Sequence, residues 1–295
     1  MAESPYEIVV NERTHMVVET ATRRCLGAAG SNFYRCWVFP LYTPSGLTVI
    51  QEFPFDHPFH TGAFVAQHPV RVGGREANFW ASPPRRGHED KLFVHVGRVD
   101  APPGPEVKLH AHGARFVFRN LWRDEAEQPV LDEVRTIDLY SAGDATVCEM
   151  ISEKIAAYGA LEYPHTKFGS IGIRVEPRLL PAFGGTVLAD NGRRGRAECV
   201  HEGQSEFVAY ENDVAAEGIR RRFGVLMHIL DPGVKGPWFI RDYGMALYDP
   251  TWAGSVTTPA GGSWTISLRI VAYDGPLTDE RIARWCAAGA PDRSA

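Results

Sequence analysis

The sequence predicts an all-β fold, a large antiparallel β-sandwich that ends in one short helix. Two observations carry that prediction. Apolar residues recur with a period of two through most of the chain, with turn residues between the runs. Convincing helical spacing occurs once, from Leu277 to Ala288.

Taken in order, strands are expected at 34–40 and 63–68. KLFVHVGRV (91–99), EVKLHAHGARFVFRN (106–120), VLDEVRTIDLYS (130–141) and ATVCEMISEKIAAY (145–158) follow as consecutive strands. Pro102, Pro103, Gly104 and Pro105 break the first pair. Ala142, Gly143 and Asp144 make a tight hairpin between the last pair. Further strands are expected at 169–176, 205–211, 222–230 and 263–273. RRFGVLMHIL is apolar on both faces, which predicts a central strand covered on each side. SWTISLRIVAY alternates, which predicts one face on the core and the other in polar surroundings. Thr278 caps the helix, Glu280 sits in its first turn and Gly289 stops it. NGRRGRAE (191–198) is too short to divide domains and reads as a solvated loop. With no linker or repeat, residues 1–295 are expected to form a single β-sandwich domain.

Composition narrows the function. The 295 residues are 44% hydrophobic, enough for a real core, and the net charge is −5. That charge gives no basic field, so neither nucleic acid nor a membrane surface is an expected partner. Cys25, Cys36, Cys148, Cys199 and Cys286 are odd in number and none forms CxxC, which argues for reduced thiols over a disulfide framework or zinc knuckle. The N-terminus MAESPYEIVVNERTH has no basic region followed by an apolar one, and no stretch reaches the roughly eighteen apolar residues of a membrane helix. A cytoplasmic protein with a small-molecule substrate is expected; homo-oligomerisation stays open.

Four segments could do chemistry. Asp56-His57-Pro58-Phe59-His60-Thr61-Gly62 puts two imidazoles three residues apart beside a carboxylate. Such a group can bind a metal or hold a general base whose proton state the carboxylate fixes. The plainer alternative is a loop in which Asp56 caps backbone amides and the histidines pack. Pro237-Trp238-Phe239-Ile240-Arg241-Asp242-Tyr243-Gly244 places Arg241 and Asp242 on opposite faces of a strand. An inward Arg241 would hold a carboxylate or oxyanion; the alternative pairs it with a structural acid. Tyr163 to Arg174 adds His165, Lys167 and Arg174, with Gly169 and Gly172 allowing close backbone approach. His110-Ala111-His112 would put both rings on one side of a strand, although Lys108 and Arg115 nearby favour a solvated face. GxSxG, HExxH, P-loop and dinucleotide motifs are absent, so those enzyme classes are unsupported.

DHPFHTG, ANFW (77–80), KFGSIGIRV, GVLMHILDP and PWFIRDYGMALYDP occur in that order, ahead of the tail WTISLRIVAYDGPLTDERIARW. As an ordered set this resembles the PmoA-like family of bacterial proteins, from about residue 50 onward. No reaction is generally established for that family, whose members often stand alongside carbohydrate catabolism. The resemblance implies a galactose-mutarotase-like sandwich whose sheet face holds a small polar molecule, such as a sugar derivative. Asp56, His57, His60, Trp80, Lys167, Arg174 and Arg241 match the family's pattern. Phe59 and Thr61 depart from DHPHHRG, Phe168 stands where the family tends to be acidic, and Phe239 where it tends to carry histidine. If these positions line one pocket, it is drier and more aromatic, suited to an aromatic or polyketide-type molecule.

The expected function is therefore proton transfer next to a carbonyl or acetal, of lyase, isomerase or cyclase type, without an organic cofactor. His57 or His60 would be the base or acid, oriented by Asp56, with Arg174 and Arg241 on a developing oxyanion. Lys167, His165 and Tyr243 are reserve proton carriers. Trp80, Phe59, Phe168 and Phe239 would shape the pocket. Two alternatives stay open: a divalent metal held by His57, His60 and a residue such as His165, and a non-catalytic carbohydrate- or metabolite-binding domain.

Overall fold

The computed structural model describes residues 4–81, 94–216 and 218–287. Its strands form two large antiparallel sheets and a small one. The first runs, in spatial order, Tyr6–Asn11, Thr14–Glu19, Cys25–Ser31, Cys36–Leu41, Ala63–His68, Phe168–Arg174, Met245–Tyr248 and Trp238–Ile240. The second runs Arg194–Gly195, Thr186–Ala189, Phe207–Ala216, Ile219–Ile229, Ser263–Asp274, Ala145–Ile155, Pro129–Ser141, Gly113–Arg123 and Arg98–Asp100, with Glu106–His110 paired to Gly113–Arg123. Val256–Thr258, Leu161–Tyr163, Val70–Val72 and Arg75–Ala77 make the small sheet. The expected all-β antiparallel sandwich with a short C-terminal helix, Asp279–Ala287, is the fold the chain adopts.

Period two decides what each sheet buries. Ala63, Val65, Ile171, Ile173 and Ala246 of the first sheet share one core with Phe116, Phe118, Ile137, Leu139, Met150, Met227 and Leu268 of the second. The intervening residues of the first sheet, Phe64, Ala66, Met245 and Leu247, join Phe59, Trp80 and Phe239 in a separate cluster on its other face, with Phe168 and Tyr243 packed against it. The helix covers part of the outer face of the second sheet. Trp285 packs on Leu226, Val271, Tyr273 and Phe207. Thr278 Oγ1 accepts from Arg281 N, as a cap should.

Several expectations change. RRFGVLMHIL is covered on both faces as expected, by the sandwich core and by the helix cluster. SWTISLRIVAY keeps a wet face only at its start, where Ser263 and Thr265 are exposed; further along, Ser267 and Arg269 are buried, and Arg269 donates to Glu149 while the helix lies over this side. The run 106–120 is two strands joined at Ala111 and His112, so the two rings of HAH do not share a strand face. His110 pairs instead with Asp138 at 2.9 Å. Of 91–99, residues 91–93 lie outside the described residues and the strand is Arg98–Asp100; Ala288 and Gly289 also lie outside them.

Candidate functional site

The outer face of the first sheet gathers residues that are far apart in sequence. Phe168 and Arg174 share a strand face, six residues apart, and that face meets Phe64 and Ala66 on one neighbour and Met245 and Leu247 on the other. The loop before strand Ala63–His68 folds over this floor. Two tight turns shape it, His57 N to Pro54 O and His60 N to His57 O, and Phe53 N to His60 O closes it. Arg35, fully buried, fixes the loop from below by donating to the carbonyls of Phe59, Phe79 and Trp80 at 3.1, 3.2 and 2.9 Å.

At the centre, Arg174 Nη2 donates to both Asp56 oxygens at 2.9 and 2.8 Å. Its Nη1 lies 3.3 Å from His60 Nδ1, and its guanidinium sits 4.7 Å from the Tyr243 ring centre. Arginine only donates, so His60 Nδ1 is an acceptor and its proton sits on Nε2. Burial, together with the charges of Arg174, His57 and Arg35, pushes His60 down to about 2, so it stays neutral. Its Nε2 has no hydrogen-bond partner among the described residues.

His57 Nδ1 lies 2.8 Å from Asp56 Oδ2. Burial raises the Asp56 carboxyl, but the bonds and charges of Arg174 and His57 outweigh it and hold the group below its ordinary value. An ionised carboxylate only accepts, so His57 carries a proton on Nδ1, and in the neutral ring Nε2 is the basic nitrogen. The ring is clamped flat between His60, 4.8 Å away and 3° from parallel, and Tyr243, 4.9 Å and 10°. With 33% of its side chain exposed, it can meet a solute, whereas His60 cannot.

Beside Tyr243 opens a cavity of about 540 Å³, lined on one side by Lys167, Phe168, Phe239 and Arg241 and on the other by Ala197, Glu198 and His201. Lys167 Nζ lies 5.5 Å from the Phe168 ring and the Arg241 guanidinium 5.0 Å from Phe239. Asp242 also lines it, held by Arg196 at 2.6 Å and by Ala197 N at 2.9 Å; the strand ends at Ile240, so Arg241 and Asp242 lie in the turn after it and not on opposite strand faces.

The structure thus brings together Asp56, His57, His60, Arg174 and Tyr243, on a wall that includes Phe59, Trp80, Phe168 and Phe239. Asp56 serves side chains and not backbone amides, against the plainer reading of the loop. Arg174 is not available to a developing oxyanion: its side chain is only 4% exposed and committed to Asp56 and His60. His165 stands apart, with Nε2 on Trp252 O and its backbone N on Ser255 Oγ. Gly169 and Gly172 make room for this protein's own parts, the Gln67 side chain and the strand at Ala246–Leu247. Arg35 and His201 were not singled out from the sequence, and Arg196 and Glu198 belong to NGRRGRAE, read there as a solvated loop; the lone arginine inside the aromatic run NFYRCWVFP was the signal for Arg35.

A ligand pair made of His57 and His60 does not fit this geometry. An imidazole lone pair lies in its ring plane, and a metal sits about 2.0–2.1 Å from each nitrogen. Stacked, parallel rings cannot both aim at one ion, and both Nδ1 atoms are already engaged. Among the described residues, no group of three or more His, Cys, Asp or Glu is placed to hold a metal.

No curated protein matches the sequence. The fold aligns with the X-ray structure of a galactose mutarotase related enzyme from Lactobacillus acidophilus, at 10% identity and a TM-score of 0.34, over 93% of this chain and 98% of that one. It also aligns with a galactose mutarotase-like protein from Lactobacillus casei, at 6% identity and a TM-score of 0.33, over 91% of this chain and 100% of that one. Likenesses this distant say nothing about the chemistry of the site. The model of the family of unknown function DUF6807 matches residues 27–287, and the chain belongs to that family.

Proposed function

We propose that this protein is a small-molecule enzyme that works by acid/base proton transfer next to a carbonyl or acetal, on a sugar-derived or aromatic ring. One observation carries the reading. His57 is oriented by a carboxylate that Arg174 in turn pins, and it presents an unengaged Nε2 on a partly exposed ring. The proton leaves a substrate carbon or hydroxyl for His57 Nε2, and the electron pair moves toward the neighbouring oxygen. Arg241, on the cavity wall, offers donors to that oxygen. Returning the proton to another atom gives isomerisation; losing a leaving group gives elimination. His60 acts as a rigid neutral backing for the His57 ring. The PmoA-like resemblance supports a sugar-derived substrate, and the phenylalanine-rich wall supports one with an apolar ring face.

The test is a panel of aldoses, lactones, uronates and hydroxy-aromatic ketones incubated in D2O and followed by proton NMR. Wild-type protein is expected to accelerate deuterium exchange or anomer exchange of at least one member. His57→Ala is expected to slow it by about 10²–10⁴-fold. Turnover that survives His57→Ala unchanged contradicts the proposal.

A further inference from the structure

The cavity beside Tyr243, the ring that stacks on His57, carries cations that the protein itself does not neutralise. Lys167 and Arg241 line it, and neither has a carboxylate partner or a side-chain hydrogen bond among the described residues. Arg241 is half-buried and its donors stay open to solvent, where a ligand can meet them. Many arginines elsewhere in the chain meet a carboxylate, as Arg98, Arg115, Arg178, Arg222 and Arg269 do. Each cation instead lies over a phenylalanine of the lining, a placement that holds the head group without using its N–H donors.

The charges on the lining do not cancel. Asp242 is matched by Arg196. His201 is held below its ordinary value by burial and by Arg241, and its Nδ1 accepts from Ile240 N, so it adds no charge. That leaves Lys167 and Arg241 against Glu198, two positive charges against one negative. In a chain whose net charge is −5, the hollow beside Tyr243 is locally positive.

We infer that the ligand of this site carries an anionic oxygen group, a carboxylate or a phosphate on a ring-sized polar molecule, which Lys167 and Arg241 hold beside His57. The inference rests on the reading of His57 as the working base. It adds the substrate class: a sugar acid, a sugar phosphate or a carboxylated ring, and not a neutral sugar. A charged hydrogen-bonded contact to a fixed guanidinium is stronger than a neutral one and orients the ring. Such an anchor would decide which carbon of the ligand faces His57 Nε2.

The experiment is isothermal titration of the full-length protein with matched probes: D-glucose, D-glucuronate and D-glucose 6-phosphate, and D-galactose, D-galacturonate and D-galactose 1-phosphate. At least one anionic member is expected to bind at least tenfold more tightly than its neutral partner. Lys167→Ala and Arg241→Ala are each expected to erode that margin, and 0.5 M salt to shrink it. Lys167 is exposed, so its variant folds irrespective of the role of Arg241. The uronate and phosphate arms separate the two anion sources. Equal affinity for neutral and charged partners, no binding by any anionic member, or a margin untouched by both variants overturns the inference. Neutral probes that turn over through His57 would remove the anion anchor and leave the catalytic proposal standing. A cation-dependent margin with turnover indifferent to His57→Ala would do the reverse.

Discussion

The protein buries charge in two places, and the two differ in how they end. Between the sheets, Glu133 and Arg135 are wholly enclosed. Every direction around the Glu133 carboxylate is used: Arg135 and Ser152 on one oxygen, Asn120 and Trp122 on the other at 2.9 and 2.8 Å. Arg135 also donates to Cys36 O at 2.9 Å. Nothing of this cluster reaches solvent. On the outer face, exposure rises step by step, from 4% for the Arg174 side chain to 33% for His57 and 44% for Asp56. The deep end of that series is locked and the shallow end keeps one basic nitrogen free. Charge that is enclosed and satisfied specifies packing; charge that is anchored below and open above is arranged to meet a ligand.

The sharpest way to break the comparison is at the sealed cluster. Glu133→Ala leaves Arg135 charged without its carboxylate, and is expected to cost about 3–5 kcal/mol in urea unfolding. A loss under about 1 kcal/mol would mean that the cluster is wet. Lys154 belongs to the same interior but has no hydrogen-bond partner among the described residues; its Nζ lies 4.2 Å from the Trp264 ring centre. Burial holds it down to about 7, so stability falls as pH drops from its unfolded value toward that point. Lys154→Met keeps the shape and removes the amine, and is expected to stabilise the fold at pH 7 by about 1–4 kcal/mol. Destabilisation would show that the amine matters to packing.

The smallest effect sharpens the other side. His60 is depressed to about 2 in the folded protein, so its contribution is full above pH 6.5 and is lost as pH falls. Unfolding free energy should drop by up to about 1.4 kcal/mol per pH unit below 6.5 on its account. His60→Phe is expected to flatten that slope, as measured by denaturant titrations between pH 4 and 7. An unchanged slope would mean that His60 takes up its proton freely.

Much of this was legible in the sequence, for identifiable reasons. DHPFH stood out because a turn rarely needs two imidazoles and a carboxylate, and the structure joins them to Arg174 and Tyr243. Strand parity failed for Arg241 and Asp242: the strand ends at Ile240, both residues lie in the turn that follows, and both line the same cavity. The sealed cluster was invisible because Glu133 and Arg135 look like the polar half of an alternating strand while sharing parity with Ile137 and Leu139. Alternation also ran unbroken across the turn at Ala111 and His112, where Gly113 was the only cue; a side chain there would strike Leu139 O. The first hairpin, Tyr6–Asn11 with Thr14–Glu19, was missed because its turn places Glu12 at positive φ without a glycine to mark it.

The account turns on two stacked imidazoles having opposite tautomers, with His60 held neutral. Long-range proton–nitrogen NMR of nitrogen-labelled histidines reads both directly, with His57→Ala and His60→Phe giving the assignments. His60 should stay neutral with its proton on Nε2 down to pH 4, while His57, when neutral, carries its proton on Nδ1. A His60 that titrates near the ordinary histidine range, or a neutral His57 protonated on Nε2, would contradict it.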